Sequence, residues 1–248
     1  MRIFWNNELD NYTLSANSED SYYPVANVQD YQLAKVYRTT DDTSEWVKVD
    51  AGSGNTITAT GACILGYNLT NGGTYKIQGN ATDSWGSPSL DETFTYNSDI
   101  MIETFDSAEY RFWRFSLADD SNPDTYLEIG RLFLGTYLEF ADQPSKDFPL
   151  SYEDTSSVEY SITGQAFGDE GIIYKLYNFR YPYWTDTVRK NVVTMIKDIK
   201  LVKPVILVPD EDNTDKLVPV YAKLNDNLSL NHLVAYAWNG ILSWRECF

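Results

Sequence analysis

Residues 45–52 read EWVKVDAG, and their alternation decides the fold class. In an extended chain, Trp46 and Lys48 fall on one side and Val47 and Val49 on the other, the period of two of a strand with one buried face. The same pattern recurs to both sides. TYKIQGN (74–80) alternates, and EYRFWRFSLA (109–118) sets Tyr110, Phe112 and Arg114 against Arg111, Trp113 and Phe115. GACILGYNL (61–69) is nearly continuous apolar, which suits a strand buried on both faces. YLEIGRLFLGTYLEF (126–140) reads as a strand pair or one bent strand, with Gly130 and Gly135 as bulges or bends. Turn clusters such as DDSNPD (119–124) separate these runs, and no segment before residue 140 has a helical period. Many short strands with turn-rich spacing predict a β-sandwich.

Beyond ADQPSKDFP (141–149), a proline-bearing stretch that reads as a linker, the pattern changes. Val188, Val192, Met195, Ile196 and Ile199 share one helical face, with Thr185 as N-cap and Lys197 and Lys200 near the negative end of the helix dipole. Strands are predicted at 171–180, 202–209 and 216–224, and Asn239-Gly240 between alternating apolar residues predicts a hairpin turn. The expected architecture is mainly β: a sandwich over 1–140, a linker over 141–149, and a small α+β domain with one helix over 150–248.

The 248 residues carry a net charge of −17, with 9 Lys and Arg against 22 Asp and Glu in residues 1–146. Such a surface repels phosphate backbones and anionic membranes, so nucleic acid is not an expected partner. No run approaches the roughly 20 apolar residues of a membrane span, and the first residues do not read as a secretory leader; synthesis in a cytoplasm is expected. Cys63 and Cys247 form no metal or disulfide framework.

Catalytic equipment is sparse. His232, at the start of a strand, is the only histidine, which argues against Ser-His-Asp chemistry or a histidine-rich metal centre. No glycine-rich phosphate loop is present. The expectation is a protein that is not an enzyme and needs no cofactor. DDSNPDTYLE (119–128) and DEDNTD (210–215) cluster oxygens in the way a structural calcium would want, but Asx-rich clusters also make turns, and neither fits an EF-hand.

Order and spacing of several short motifs resemble the discoidin-like, or galactose-binding-like, jelly-roll family: YPVANVQD (23–30), RTT (38–40), WVKVDAG (46–52), RFWRF (111–115) and EIGRLFLG (128–135). Ala51 departs from the family's usual leucine. The resemblance implies a ligand site on loops at one end of the sandwich. Tyr22, Tyr23 and Trp85 lie in loop-like sequence, and Trp85 beside Asp83 would pair a stacking platform with an acceptor for hydroxyls. These four residues are the candidate glycan contacts; contact with another subunit, or plain self-packing, are the alternatives. The variants ACILGYNLT (62–70) and YRFWRFSLADDSNPDTYLEIGRLFLG (110–135), with a trailing α+β unit, also resemble tail-associated structural proteins of tailed phages. That resemblance implies a virion component of the tail tip or baseplate. It would be homo-oligomeric, contact other tail proteins, and work by shape rather than chemistry. Tyr236, Trp238 and Trp244 are the aromatic candidates for such an interface, and host-surface glycan binding is the alternative function.

Overall fold

The computed structural model describes residues 1–140, 149–209, 218–234 and 237–248. In chain order its strands are β1 (Arg2–Phe4), β2 (Leu14–Ala16), β3 (Tyr37–Arg38), β4 (Glu45–Asp50), β5 (Ile57–Tyr67), β6 (Thr74–Asn80), β7 (Leu90–Thr93), β8 (Ile100–Tyr110), β9 (Phe112–Ala118), β10 (Glu128–Gly135) and β11 (Tyr137–Glu139). There follow β12 (Leu150–Asp154), β13 (Ser157–Tyr160), β14 (Ala166–Asp169), β15 (Ile173–Trp184), helix α1 (Asp186–Ile199), β16 (Val205–Val208), β17 (Val220–Leu224), β18 (Ser229–Val234) and β19 (Ala237–Glu246). These elements form two compact units, Phe4–Tyr137 with Phe248, and Met1–Ile3 with Leu138–Cys247.

The first unit is an antiparallel β-sandwich. A five-stranded sheet runs β2-β4-β9-β6-β7 and a four-stranded sheet β3-β10-β5-β8. The period-two alternation explains the packing: Val47 and Val49 turn inward with Tyr75, Ile77, Phe115 and Leu117, and meet Tyr37, Ala62, Ile64, Ile129, Leu132 and Leu134 of the other sheet in one core. Two 3-10 turns, Glu8–Asn11 and Val25–Gln29, are the helical segments there. The continuous apolar run of β5 is buried on both faces from Ala62 to Leu65. Chain near the start covers the outer face: Phe4 packs edge-on against Phe133 at 5.5 Å, and the Asn7 carboxamide donates to the Leu132 carbonyl at 2.9 Å and accepts from the Leu134 amide at 3.0 Å.

That overlay bears on the reading of two glycines. Gly130 marks no bulge, since β10 keeps one register with β5 from Ile129↔Tyr67 to Gly135↔Gly61; Gly135 is the last residue of β10, after which the chain passes to β11 of another sheet. A Cβ at Gly130 would collide with the Leu33 carbonyl, and one at Gly135 with that of Asn6. Glycine is needed there because another backbone crosses the strand.

The second unit is an eight-stranded sheet of path β11-β1-β16-β17-β19-β15-β12, with β18 paired to β19, and a separate β13–β14 ribbon. Helix α1 spans the expected residues, with the Val188 amide donating to the Thr185 hydroxyl at 3.3 Å, and it buries Val192, Met195 and Ile199. The expected first domain ran to residue 140. In the structure Met1–Ile3 and Leu138–Phe140 fall in the second unit, where Phe140 stacks on Tyr181 at 4.8 Å and the Tyr181 hydroxyl donates to the Met1 sulfur at 2.7 Å. Most of the expected linker, 141–148, and all of the DEDNTD cluster lie outside the described residues. Asn239-Gly240 is not a turn. Both residues sit inside β19, opposite Asn231 and Leu230. A side chain at Gly240 would meet Trp184 at 2.8 Å and Leu230 at 2.9 Å, so the glycine answers a packing demand rather than a turn. Among the described residues no helix is long and apolar enough to cross a membrane.

Candidate functional site

One end of the sandwich is built from the turn at 20–23, the start of β10, and the loops 68–73 and 119–127. Buried polar groups lock these loops together. Asp119 is 1% exposed and accepts from the Thr70 amide (2.8 Å), the Thr70 hydroxyl (2.7 Å), the Tyr75 hydroxyl (2.9 Å) and the Asn122 carboxamide (3.2 Å). Burial pushes its carboxyl up, but these hydrogen bonds outweigh burial and hold it below the ordinary aspartate value. Asn68 continues the lock, donating to the Tyr126 carbonyl at 3.0 Å and accepting from the Glu128 amide at 2.7 Å. The acidic run read as a possible cation cluster thus spends Asp119 on the protein's own donors, and groups of three or more metal-ligating side chains are absent among the described residues.

On this base sits an aromatic group around Arg38. Its guanidinium donates twice to Glu128 Oε1 (2.8 and 2.5 Å), and its central carbon lies over the rings of Tyr23 (4.2 Å) and Tyr126 (4.4 Å). The turn Asp20–Tyr23 is stitched to the same strand: the Asp20 amide donates to the Arg38 carbonyl at 2.9 Å, the Arg38 amide to the Tyr23 carbonyl at 3.1 Å, and the Tyr23 amide to the Asp20 carbonyl at 3.0 Å. The Tyr22 amide donates to the Asp20 carboxylate at 2.8 Å, which fixes the backbone while leaving the Tyr22 side chain 86% exposed. The chemistry on offer is flat apolar faces with phenol hydroxyls on a rigid turn, suited to stacking and hydrogen bonding and not to proton transfer.

Asp83 and Trp85 lie elsewhere. They belong to the loop between β6 and β7, which folds over the outer face of the five-stranded sheet. There Lys48, Arg114, Gln78 and Asp91 form one cross-strand row. The Trp85 indole donates to Asp83 Oδ1 at 2.7 Å, Lys48 holds Asp83 Oδ2 at 2.6 Å, and the Arg114 guanidinium lies 4.5 Å over the Trp85 ring. Arg114 donates to Gln78 Oε1 (2.8 and 2.6 Å), and the Gln78 carboxamide donates to Asp91 at 2.9 Å. The Lys48 ammonium holds the Asp83 carboxyl below its usual range. Each polar group here is already answered by a neighbour, which favours self-packing for Trp85. The structure brings Tyr22 and Tyr23 together with Arg38 and Tyr126, and it brings Asp83 and Trp85 together with Lys48 and Arg114. It does not join the two pairs. Arg38 and Tyr126 escaped the sequence reading; their link to Tyr23 depends on the pairing Arg38↔Glu128, across 90 residues.

The expected interface aromatics also separate. Trp244 is fully buried, turned with Leu242 into the core of its unit, and so cannot anchor a partner from the surface. Trp238 is half-buried; its indole donates to Asp186 at 2.9 Å, Arg189 lies 4.8 Å over its ring, and the exposed His232 ring stands 4.5 Å away. Tyr236 lies outside the described residues.

No family model and no curated protein matches the chain. Among solved structures it is similar, over about half its length, to several small domains. One is the family 32 CBM from C. perfringens NanJ in complex with galactose, at 16% identity, covering 56% of this chain and 100% of that one with a TM-score of 0.42. Another is the lectin domain of lectinolysin complexed with Lewis B antigen, at 13% identity, covering 53% and 96% with a TM-score of 0.43. A third is the Streptococcus pneumoniae fucose binding module SpX-3, at 14% identity, covering 54% and 99% with a TM-score of 0.42.

Proposed function

We propose that the first unit is a discoidin-like carbohydrate-binding module. It binds without chemistry, through the loop end that carries Tyr22, Tyr23, Arg38 and Tyr126. The observation that carries this reading is Tyr22: a large aromatic ring, 86% exposed, on a turn whose backbone is tied to β3. Exposing an aromatic ring forgoes burial of roughly 150–250 Å², and a rigid turn removes the ordering cost that flexible contacts incur on binding. Asp83 and Trp85 support the module by covering the sheet. A glycan array, followed by calorimetric titration of the best binder, tests the proposal. Tyr22→Ala is expected to weaken binding by about tenfold or more with no change in melting temperature. Trp85→Ala is expected to lower the melting temperature. If Tyr22→Ala binds as tightly as the unaltered chain, the loop-end site is wrong.

A second reading, assembly into the tail of a phage particle alongside other tail proteins and further copies of itself, rests on a different observation. Exposed apolar side chains are frequent in the second unit, among them Tyr152, Val158, Tyr160, Ile162 and Phe167, and Val158 and Tyr160 share one face of the β13–β14 ribbon. Exposed apolar surface of this kind suits contact with another protein. Quantitative mass spectrometry of purified particles tests it: a fixed copy number per particle supports a virion location, and absence from particles excludes it.

A further inference from the structure

The three neighbouring strands β15, β19 and β18 hold a cavity of about 370 Å³ in the second unit. Its lining includes Arg180, Pro182, Ser229, Asn231, Asn239 and Ile241. Strand register explains how these six converge. Arg180, Ile241 and Ser229 form one cross-strand row, and Asn239 faces Asn231 in the next. The ladder between β15 and β19 shifts register between Tyr181 and Trp184, and Pro182 lies in that shift. The intervening residues Phe179, Leu242 and Trp244 are buried in the core, so Arg180, Asn239 and Ile241 project from the opposite face of the sheet, and Tyr181 and Gly240 complete the lining between them.

The chemistry of the lining is specific. Among the described residues the Arg180 guanidinium makes no ion pair and no hydrogen bond, and the side chains of Asn231, Asn239 and Ser229 are likewise uncommitted. No Asp or Glu lines the cavity, although the chain has 36 of them against 19 Lys and Arg. A planar guanidinium with free donors matches a carboxylate in a two-point contact. Two carboxamides facing one another across a strand pair, with Cβ atoms roughly 4.5–5.5 Å apart, offer donors and acceptors together, which is what hydroxyl groups require. Ile241 and Pro182 supply apolar surface for the carbon face of a ring. The volume is at the small end of the roughly 300–1,000 Å³ typical of small-molecule sites.

We propose that this cavity is a second binding site, for a carboxylate-bearing polyol of the size of an acidic monosaccharide. Arg180 takes the carboxylate, and Asn231, Asn239 and Ser229 take the hydroxyls. The proposal uses none of the residues of the loop-end site and stands or falls separately from it.

Heteronuclear NMR titration of the full chain tests it, with D-glucuronic acid, N-acetylneuraminic acid, D-glucose and inorganic phosphate as separate probes. The acidic sugars are expected to give saturable shifts at the Asn231 and Asn239 carboxamides and the Arg180 Nε, with dissociation constants of about 1–10 mM. Arg180→Gln should weaken them by about tenfold, and Arg180→Lys, which keeps the charge but not the fork, by an intermediate factor. Tyr22→Ala should leave them unchanged. Arg180 is exposed, so these variants are expected to fold, and amide spectra away from the site report on that directly. Equal binding of D-glucose with indifference to Arg180→Gln overturns the anionic assignment. Saturation by phosphate but by neither acidic sugar overturns the polyol assignment. No saturable shift with any probe removes the site.

Discussion

The two units differ in how completely each satisfies its own chemistry. Within Phe4–Tyr137, Tyr22 alone among the large hydrophobic side chains is exposed, and buried polar groups such as Asn7, Thr39, Asp119 and Arg131 have hydrogen-bond partners. The second unit reverses both features. Its buried indole nitrogens of Trp184 and Trp244 and the Ser243 hydroxyl have no partner among the described residues, and its surface carries a series of exposed apolar side chains from Leu150 to Ile241. An unanswered buried donor costs about 1–3 kcal/mol. The first unit therefore satisfies its polar groups and covers its large apolar side chains with the one exception of Tyr22, whereas the second leaves both kinds of group unanswered among the described residues.

The largest expected effect tests the first unit. The Arg131 side chain is 5% exposed, pairs with Asp10 at 2.7 Å and donates to the Asp30 carbonyl at 3.0 Å. Asp10→Ala leaves that guanidinium buried without its counter-charge, and should destabilise the first unit by about 3 kcal/mol in denaturant unfolding. The second unit should be unaffected. A loss below about 1 kcal/mol would mean that the pair behaves as a surface ion pair and that the contrast is overstated.

A paired substitution sharpens the comparison. The Trp113 indole donates to the carbonyls of Ile57 (3.1 Å) and Tyr110 (3.2 Å), whereas the equally buried Trp244 indole donates to nothing among the described residues. Trp113→Phe removes ring volume and a satisfied donor; Trp244→Phe removes similar volume but also relieves an unsatisfied one. Trp113→Phe is expected to cost about 1–2 kcal/mol more than Trp244→Phe. Equal costs would show that Trp244 finds a partner in solution.

The acid response should separate two opposing carboxyls within the first unit. Asp119 is held below its ordinary value in the fold, so the stability it contributes is complete above the unfolded aspartate value of about 3.9 and is lost as pH falls through the depressed folded value. Glu45 works the other way: burial raises its carboxyl, a Ser18 hydroxyl opposing in part, so its contribution favours acid rather than neutral pH. On acidification below about pH 4 the loops at 68–73 and 119–125 should exchange amide hydrogens first. Asp119→Asn should flatten that pH dependence at the cost of lower stability at neutral pH. An unchanged acid profile in Asp119→Asn would assign the loss to another group.

Legibility in the sequence followed the range of the interactions. EWVKVD and α1 with its Thr185 cap were readable because their periods and caps are local. The pairing of Arg38 with Glu128 depends on a partner 90 residues away and the inclusion of Met1–Ile3 in the second unit on one 180 residues away, and no local pattern encodes them. Asn239-Gly240 misled for the same reason: the dipeptide is a turn signal locally, but Trp184 and Leu230 dictate the glycine. At the site, Tyr22 and Tyr23 were legible as loop aromatics. That Trp85 is committed to Lys48, Asp83 and Arg114 was not, because strand register supplies two of those partners.

The smallest expected effect on stability falls on the β13–β14 ribbon, where a null result is informative. Register places Val158 opposite Gly168 and Tyr160 opposite Ala166, so one face of the ribbon is wholly uncharged, while Glu159 and Asp169 lie on the other. Tyr160 is 73% and Val158 57% exposed. Neither side chain is buried in the core, so the double substitution Val158→Thr with Tyr160→Ser should change the unfolding free energy by no more than about 0.5 kcal/mol. If the ribbon serves only its own unit, nothing else should change. If it is the surface of the proposed contact with other particle proteins, the same variant should remain folded and monodisperse, keep the sugar binding proposed for Tyr22, and fail to enter particles in a co-expression assay. A variant that enters particles at the normal level would move the contact surface elsewhere. A stability loss well above 0.5 kcal/mol would mean that the ribbon packs on its own chain in solution, and would bring the two units closer to one kind.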